Sequence, residues 1–203
     1  MHCLVIAEKP NVAEKIAKAL DSKSVKKQSA SGAAYYECER NNDKIVVSNA
    51  IGHLYSLAEV GKTREYPVFN IEWQPSYKIN KFAAFTEKYL KSLEALCKDA
   101  NLIVNACDFD IEGSLIGGNV IRFAGKNKKS KRMVFSTLTK EDLEDAFENK
   151  KELDVKNIEA GETRHMLDWF WGINTSRALM NAMKKGGMFK ILSIGRVQGP
   201  SLE

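Results

Sequence analysis

The 203-residue sequence is poor in the residues that impose specialised folds, with four cysteines, four prolines, three histidines and three tryptophans. Cys3, Cys38, Cys97 and Cys107 never fall at a CxxC or other zinc-like spacing, which argues against zinc modules and a disulfide framework. Reduced, buried thiols are expected instead. Long apolar runs are also missing. The longest uncharged one, Leu102 to Cys107, is interrupted by Asn105 and falls far short of the ~20 residues a membrane-spanning helix needs. The opening MHCLVIAEKP reaches Glu8 and Lys9 after one strand's worth of apolar residues, with neither a basic n-region nor a small-residue cleavage site. The expected compartment is the cytoplasm. No GxxxxGK[ST] loop, internal repeat or low-complexity tract occurs.

What remains is an ordinary globular composition, 44% apolar and 28% charged, with 31 Lys+Arg against 26 Asp+Glu. The net charge of +5 is unevenly spread. Gly125 to Arg132 (GKNKKSKR) carries five positive charges, which fit a solvated loop or a phosphate contact equally well. Thr175 to Glu203 holds five basic residues and one acid, whereas Glu141 to Asp154 is mostly acidic.

Cys3 to Ala7 (CLVIA) is a buried-strand run followed by helical periodicity at Val12, Ile16 and Leu20. Ala34–Glu39 and Lys44–Asn49 read as a hairpin about Arg40 to Asp43. The stretch 61–81 has no clean period and reads as a long structured loop. Phe85, Tyr89, Leu93 and Leu96 keep helical spacing, and Leu102 to Cys107 forms a second buried strand. DFDIEG (Asp108 to Gly113) follows it, with a further helix through Ile116, Val120 and Phe123. Met133 to Phe135 is expected as a short strand, and Thr139 with Asp142 as a helix start. Beyond a composition change near Glu152 to Lys156, helices are expected over about Val155 to Asn174 and Ser176 to Lys185. The second is stopped by Gly186-Gly187. The pattern predicts an α/β domain over 1–155 and the start of a helical domain over 156–203.

In open α/β folds the working residues gather at the carboxyl ends of strands. Glu8 ends one strand, and Asp108, Asp110 and Glu112 follow another. Crowded carboxylates raise one another's pKa, and a hard divalent cation removes that conflict. All-oxygen ligands without His or Cys favour Mg²⁺. The alternative for DFDIEG alone is a turn with a helix cap.

AEKP (Ala7 to Pro10) after the first strand and DFDIEG after a later one resemble the Toprim domain, a Rossmann-like fold with a mostly parallel sheet flanked by helices. That domain is shared by type IA and type II topoisomerases, some primases and some nucleases. The rest of the chain resembles the type IA topoisomerases. FSTLTK (Phe135 to Lys140) is similar to their F-x-x-[IL]-T-x element and Arg164-His165-Met166-Leu167-Asp168 to their R-x-x-x-D helix. Ser193-Ile194-Gly195-Arg196-Val197-Gln198 is similar to S-x-G-R-V-Q, and with Ile51-Gly52-His53-Leu54 all of these stand in family order. Where many relatives read D-x-D-R-E-G-E, this chain has Ile111 and Ser114. With AEKP and IGHL, that variant looks most like archaeal members.

The resemblance implies an ATP-independent, Mg²⁺-dependent enzyme that cleaves single-stranded DNA, passes a strand and reseals it through a 5′-phosphotyrosine. Glu8, Lys9 and Arg164 carry the catalytic roles it implies, and Glu8, Asp108, Asp110 and Glu112 the metal. His53, Asp168, Ser193, Arg196 and Gln198 would contact DNA. Trp169, Phe170, Trp171 and neighbouring methionines read as core. All six tyrosines precede Asp108, whereas the family's nucleophile follows SxGRVQ, so the remainder of a longer polypeptide is expected to supply it. A nucleoid-associated protein is implied. A free-standing Toprim module, nucleic-acid-binding or nuclease-like, is the rival reading, although R-x-x-x-D and SxGRVQ have no purpose there.

Overall fold

The computed structural model describes residues 2–61, 65–188, 190–199 and 201. They fall into two compact units, one of residues 1–56 with 75–161 and one of 57–74 with 162–203.

The first unit is built on a six-stranded sheet. Its strands are β1 (His2–Ala7), β2 (Lys26–Ala30), β3 (Ala33–Arg40), β4 (Asp43–Asn49), β7 (Leu102–Ala106) and β8 (Ser130–Arg132). Their spatial order is β2-β3-β4-β1-β7-β8. β1 lies parallel to both β4 and β7, and β7 parallel to β8, while β2 and β3 are antiparallel additions at one edge. Alternation along β1 explains the layering. Cys3, Val5 and Ala7 pack into a core with Val12, Ile16 and Leu20 of α1 (Pro10–Leu20) and Leu143 and Phe147 of α5 (Lys140–Glu148). Leu4 and Ile6 are equally buried on the opposite side, where α3 (Thr86–Asp99) runs against the sheet and α4 (Ile111–Asn119) packs on β7. A strand buried on both faces must be apolar throughout, which is why CLVIA and LIVNA read as continuous runs.

Local chemistry sets the element ends. Pro10 occupies the first turn of α1, where its missing N–H costs nothing. Asn41 and Asn42 turn the β3–β4 hairpin with φ of 52° and 62°, the left-handed pair that a two-residue connection requires. Thr139 caps α5 by accepting from Asp142 N.

Several expectations are corrected. β2 (KKQSA) was not foreseen, because it is an edge strand exposed along most of its length and carries no hydrophobic alternation. The stretch read as a loop over 61–81 contains β6 (Ile71–Pro75) and α2 (Ser76–Ile79), and β6 pairs with β5 (Tyr55–Glu59). The short strand is Ser130–Arg132, not Met133 to Phe135, although Met133 N still bonds Asn105 O. α4 continues through a π-helical turn, Val120–Ala124. The two expected C-terminal helices are a single helix, α6 (Val155–Lys185), because Asn174 and Thr175 are absorbed without a break.

In the second unit, the Asn174 side chain pairs with both the N–H and the carbonyl of Val68, at 2.7 and 2.9 Å. Arg177 bonds the Glu59 carboxylate at 2.5 Å and Glu65 O at 2.7 Å. These contacts tie 57–74 to the helix. Trp171 is 46% exposed and Leu167 is also exposed, so the core expected around Trp169 to Trp171 is only partly closed. A unit this small lacks the surface to bury them all.

Candidate functional site

β1 is the sheet's topological switch point, since its neighbours β4 and β7 lead away in opposite directions, and the crevice outside its carboxyl end is where such folds place ligands. Glu8 and Lys9 leave that end. Asp108 leaves the adjacent end of β7. Lys9 Nζ donates to Asp108 Oδ2 at 2.8 Å and lies 3.9 Å from Glu8 Oε1. Burial, then the like charges of Asp108 and Asp110, raise the Glu8 carboxyl above its ordinary value, with Lys9 opposing. Hydrogen bonding to Asp108 raises the Lys9 ammonium, which therefore stays charged.

The DFDIEG segment is held by its backbone. Asp110 caps α4 by accepting from Gly113 N at 2.7 Å, and its own N–H returns to Asp108 O at 2.9 Å. A Cβ at Gly113 would stand 2.1 Å from Asp108 O, so only glycine allows the loop this close to its helix. Asn105 fixes the helix from below, its amide donating to Gly113 O at 3.3 Å while its oxygen accepts from Cys107 N at 3.0 Å. Gly117 leaves the room that the Asn105 side chain occupies.

Glu112, in the first turn of α4, bonds His53 Nε2 through Oε2 at 3.0 Å. The His53 loop is unusual. Ile51 has φ of 58° and Gly52 of 88°, and a β-branched residue pays for the left-handed conformation. The turn hooks onto the first strand, with Ala50 N to Ala7 O at 2.9 Å and Ile51 N to Glu8 O at 2.8 Å, and so carries His53 to Glu112. A cleft of about 390 Å³ opens beside the acids, lined by Lys9, Asn11, Val12, Asp108, Phe109, Phe135, Ser136 and Leu138. FSTLTK is thus one of its walls. Asp142 accepts from Ser136 N and Thr137 N and locks that wall, and the same bonds lower its carboxyl.

Four carboxylates, one raised by burial and then by its neighbours and one paired with a lysine, are the chemistry a hard cation suits. No three of Glu8, Asp108, Asp110 and Glu112 bring ligand oxygens within 4.8 Å of one another. The set therefore fits Mg²⁺ held by one or two carboxylates, with water and phosphate completing its shell.

The other predicted site residues, Arg164, Asp168, Ser193, Arg196 and Gln198, belong to the second unit and are exposed. Arg196 Nε forms an ion pair with Asp168 Oδ1, so the R-x-x-x-D and S-x-G-R-V-Q elements meet within that unit. An apolar cleft lies alongside, between Pro67, Phe69, Leu167, Phe170 and Trp171, with Arg196 on its rim.

One residue escaped the sequence reading altogether. Arg132, the last of the basic run, is 1% exposed, and its guanidinium donates to Asn105 O at 3.2 Å and to Asp108 O at 2.7 Å. Burial lowers its pKa. The run itself is neither a free loop nor a phosphate patch as a whole. Lys128 caps α3 through the carbonyls of Cys97, Lys98 and Ala100, and Lys131 pairs with Glu152.

Comparison with known proteins places the chain in a family. Residues 3–138 match the Toprim domain model and residues 152–203 the DNA topoisomerase model. DNA topoisomerase 1 of Methanocaldococcus jannaschii is 48% identical over 205 residues, covering 100% of this chain and 26% of the relative. That of Pyrococcus horikoshii is 46% identical, covering 98% and 30%, and DNA topoisomerase 3 of Staphylococcus aureus 31% identical, covering 100% and 28%. The full-length topoisomerase I structure from Thermotoga maritima shares the fold with a TM-score of 0.63 at 24% identity, over 98% of this chain and 29% of that one. The chain thus spans under a third of the length of these relatives. Among the described residues no helix is long and apolar enough to cross a membrane.

Proposed function

The chain belongs to the Toprim family, among the type IA DNA topoisomerases, and from that premise we propose that it supplies the acid, metal ligands and phosphate contacts for reversible cleavage of single-stranded DNA. The observation that carries the reading is the Lys9 ammonium set between the Asp108 and Glu8 carboxylates at adjacent parallel strand ends. A phosphodiester entering there meets a cation and a carboxyl that burial and its neighbouring carboxylates raise above its ordinary value, the direction a general acid needs.

In cleavage, a tyrosine from polypeptide beyond this chain, its phenol proton released to water, attacks phosphorus and the bond to the 3′-oxygen breaks. Glu8 gives its proton to that leaving oxygen, and the tyrosine ends joined to the 5′-phosphate. Religation reverses each move, with the Glu8 carboxylate taking the proton from the 3′-hydroxyl. Bond energy is conserved in the phosphotyrosine, so no nucleotide is consumed. Lys9 and Arg164 offset charge on the phosphoryl oxygens. One or two of Glu8, Asp108, Asp110 and Glu112 would hold Mg²⁺, which when bound adds Lewis-acid stabilisation of the same oxygens. His53, Asp168, Ser193, Arg196 and Gln198 would hold the strand by its backbone. In this reading residues 1–155 are the Toprim domain, 156–203 begin the helical DNA-binding domain, and the protein works in the cytoplasm at the nucleoid.

Two experiments test it. Calorimetric titration with Mg²⁺ should show weak binding that is lost in Asp108→Asn with Asp110→Asn, and unchanged binding would remove the metal assignment. In a polypeptide extended to the relatives' length, Glu8→Gln should slow both cleavage and religation. Full activity in that variant would remove Glu8 as the acid.

A further inference from the structure

The first unit displays an aromatic and basic surface outside the acidic site. Phe82 is 91% exposed and Phe85 54%, and Ile79 lies open beside them in the sequence. The segment from Ser76 to Lys91 contains Lys78, Lys81, Lys88 and Lys91 against a single acid, Glu87. Glu87 is already paired with Lys91 at 2.7 Å. Phe82 is presented on a built turn: Asn80 Oδ1 accepts from Phe82 N at 2.9 Å, Asn80 O from Ala83 N at 2.9 Å, and Lys81 O from Ala84 N at 3.2 Å. A ring on a fixed turn loses little conformational freedom when something stacks on it.

The start of this segment is tied to the loop that carries His53. Ser76, where the segment starts, donates from its N–H to Leu54 O at 2.9 Å and from its hydroxyl to His53 O at 3.0 Å. His53 in turn reaches Glu112.

We propose that Phe82 and Phe85, flanked by Lys78 and Lys81, form a second contact for single-stranded DNA, stacking unpaired bases while the lysines follow the phosphates. The inference rests on the DNA-cleaving role proposed above. Single strands fit better than duplex because their bases expose π-faces, which a paired stack conceals. Rings interleaved with lysines are how sequence-tolerant single-strand binders are built.

The test is fluorescence anisotropy of a labelled oligo-dT and of a duplex of equal length against the 203-residue chain. Phe82→Ala with Phe85→Ala should weaken oligo-dT binding by about fivefold or more, leave duplex binding unchanged, and leave the salt slope unchanged because no charge is removed. Lys78→Ala with Lys81→Ala should make the slope of log K against log salt shallower by roughly 1.4, at about 0.7 per phosphate. Both rings are exposed, so circular dichroism should match the parent, and Phe82→Ala alone serves as the milder variant. Parental affinity in the double phenylalanine variant, or an equal loss on duplex, overturns the proposal. So does self-association of the parent, seen in sedimentation, that the same variant abolishes, because a second copy would then own the surface. The two readings separate cleanly. A chain that binds no single-stranded DNA at all fails the proposed function, whereas binding lost in Arg196→Ala but kept without the rings sinks only this contact.

Discussion

Replacing Arg132 by methionine tests whether the acidic loop depends on a buried cation. Among the described residues the guanidinium pairs with no carboxylate, and two of its donors go to the carbonyls of Asn105 and Asp108. Each carbonyl keeps one backbone donor without it, Met133 N on Asn105 O and Asp110 N on Asp108 O, both at 2.9 Å. The loss is therefore of two charge-assisted bonds, gross ~1.5–3 kcal/mol each. Against it stands the recovered cost of burying the charge, whose direction is visible in the lowered pKa. A net destabilisation of about 2–3 kcal/mol is expected, or roughly 4–12 °C in Tm at this chain length. Arg132→Lys should be nearly as harmful, since one ammonium cannot fork between two carbonyls. Thermal unfolding by circular dichroism checks both. A methionine variant within 0.5 kcal/mol of the parent, in order-of-magnitude terms, would mean that the anchor contributes nothing.

The four thiols supply a second check. All are buried, with Cys3 pushed up to about 11 and Cys38, Cys97 and Cys107 to about 12 by burial, so a disulfide reagent at pH 8 should react with none in the native protein and all four in denaturant. Rapid reaction of the native chain would contradict the packing. Asp21, which accepts from Ser24 and from the N–H groups of Lys23 and Ser24, is lowered from 3.8 to about 2. Its folded-state pKa lies below the unfolded one, so its contribution is present above about pH 4 and lost as pH falls towards 2. Asp21→Asn should flatten that limb of the stability profile, and an unaltered acid limb would remove Asp21 from the account. Tyr55 is 5% exposed, tilted against Phe123 at 4.8 Å between ring centroids, and raised by burial, so it cannot serve as an attacking hydroxyl. Incubation with end-labelled single strands and Mg²⁺ should give no covalent band, and a band abolished in Tyr55→Phe would refute this.

How much the sequence disclosed follows from how each residue's role is encoded. Glu8 and Asp108 were legible because buried parallel strands are uniformly apolar, so the first charge after CLVIA or LIVNAC marks a strand end, and strand ends are where such sheets work. The α5 cap was legible for the same kind of reason, a Thr three residues before an acid. Arg132 was not, because a run of five cations gives no local sign of which one turns inward. That choice depends on two carbonyls more than twenty residues away in sequence. Asn105 was visible as a polar break in an apolar strand, yet its purpose needs Gly113 and Gly117 in place. Ile51 was opaque, since a β-branched residue is a poor candidate for positive φ and only bonds to the end of the first strand hold it there. The DFDIEG loop therefore combines two kinds of information. Its carboxylates can be named from spacing alone, but their placement is imposed by a buried arginine, a buried asparagine and a strained turn. A change at any of these should move the acids without altering one of them.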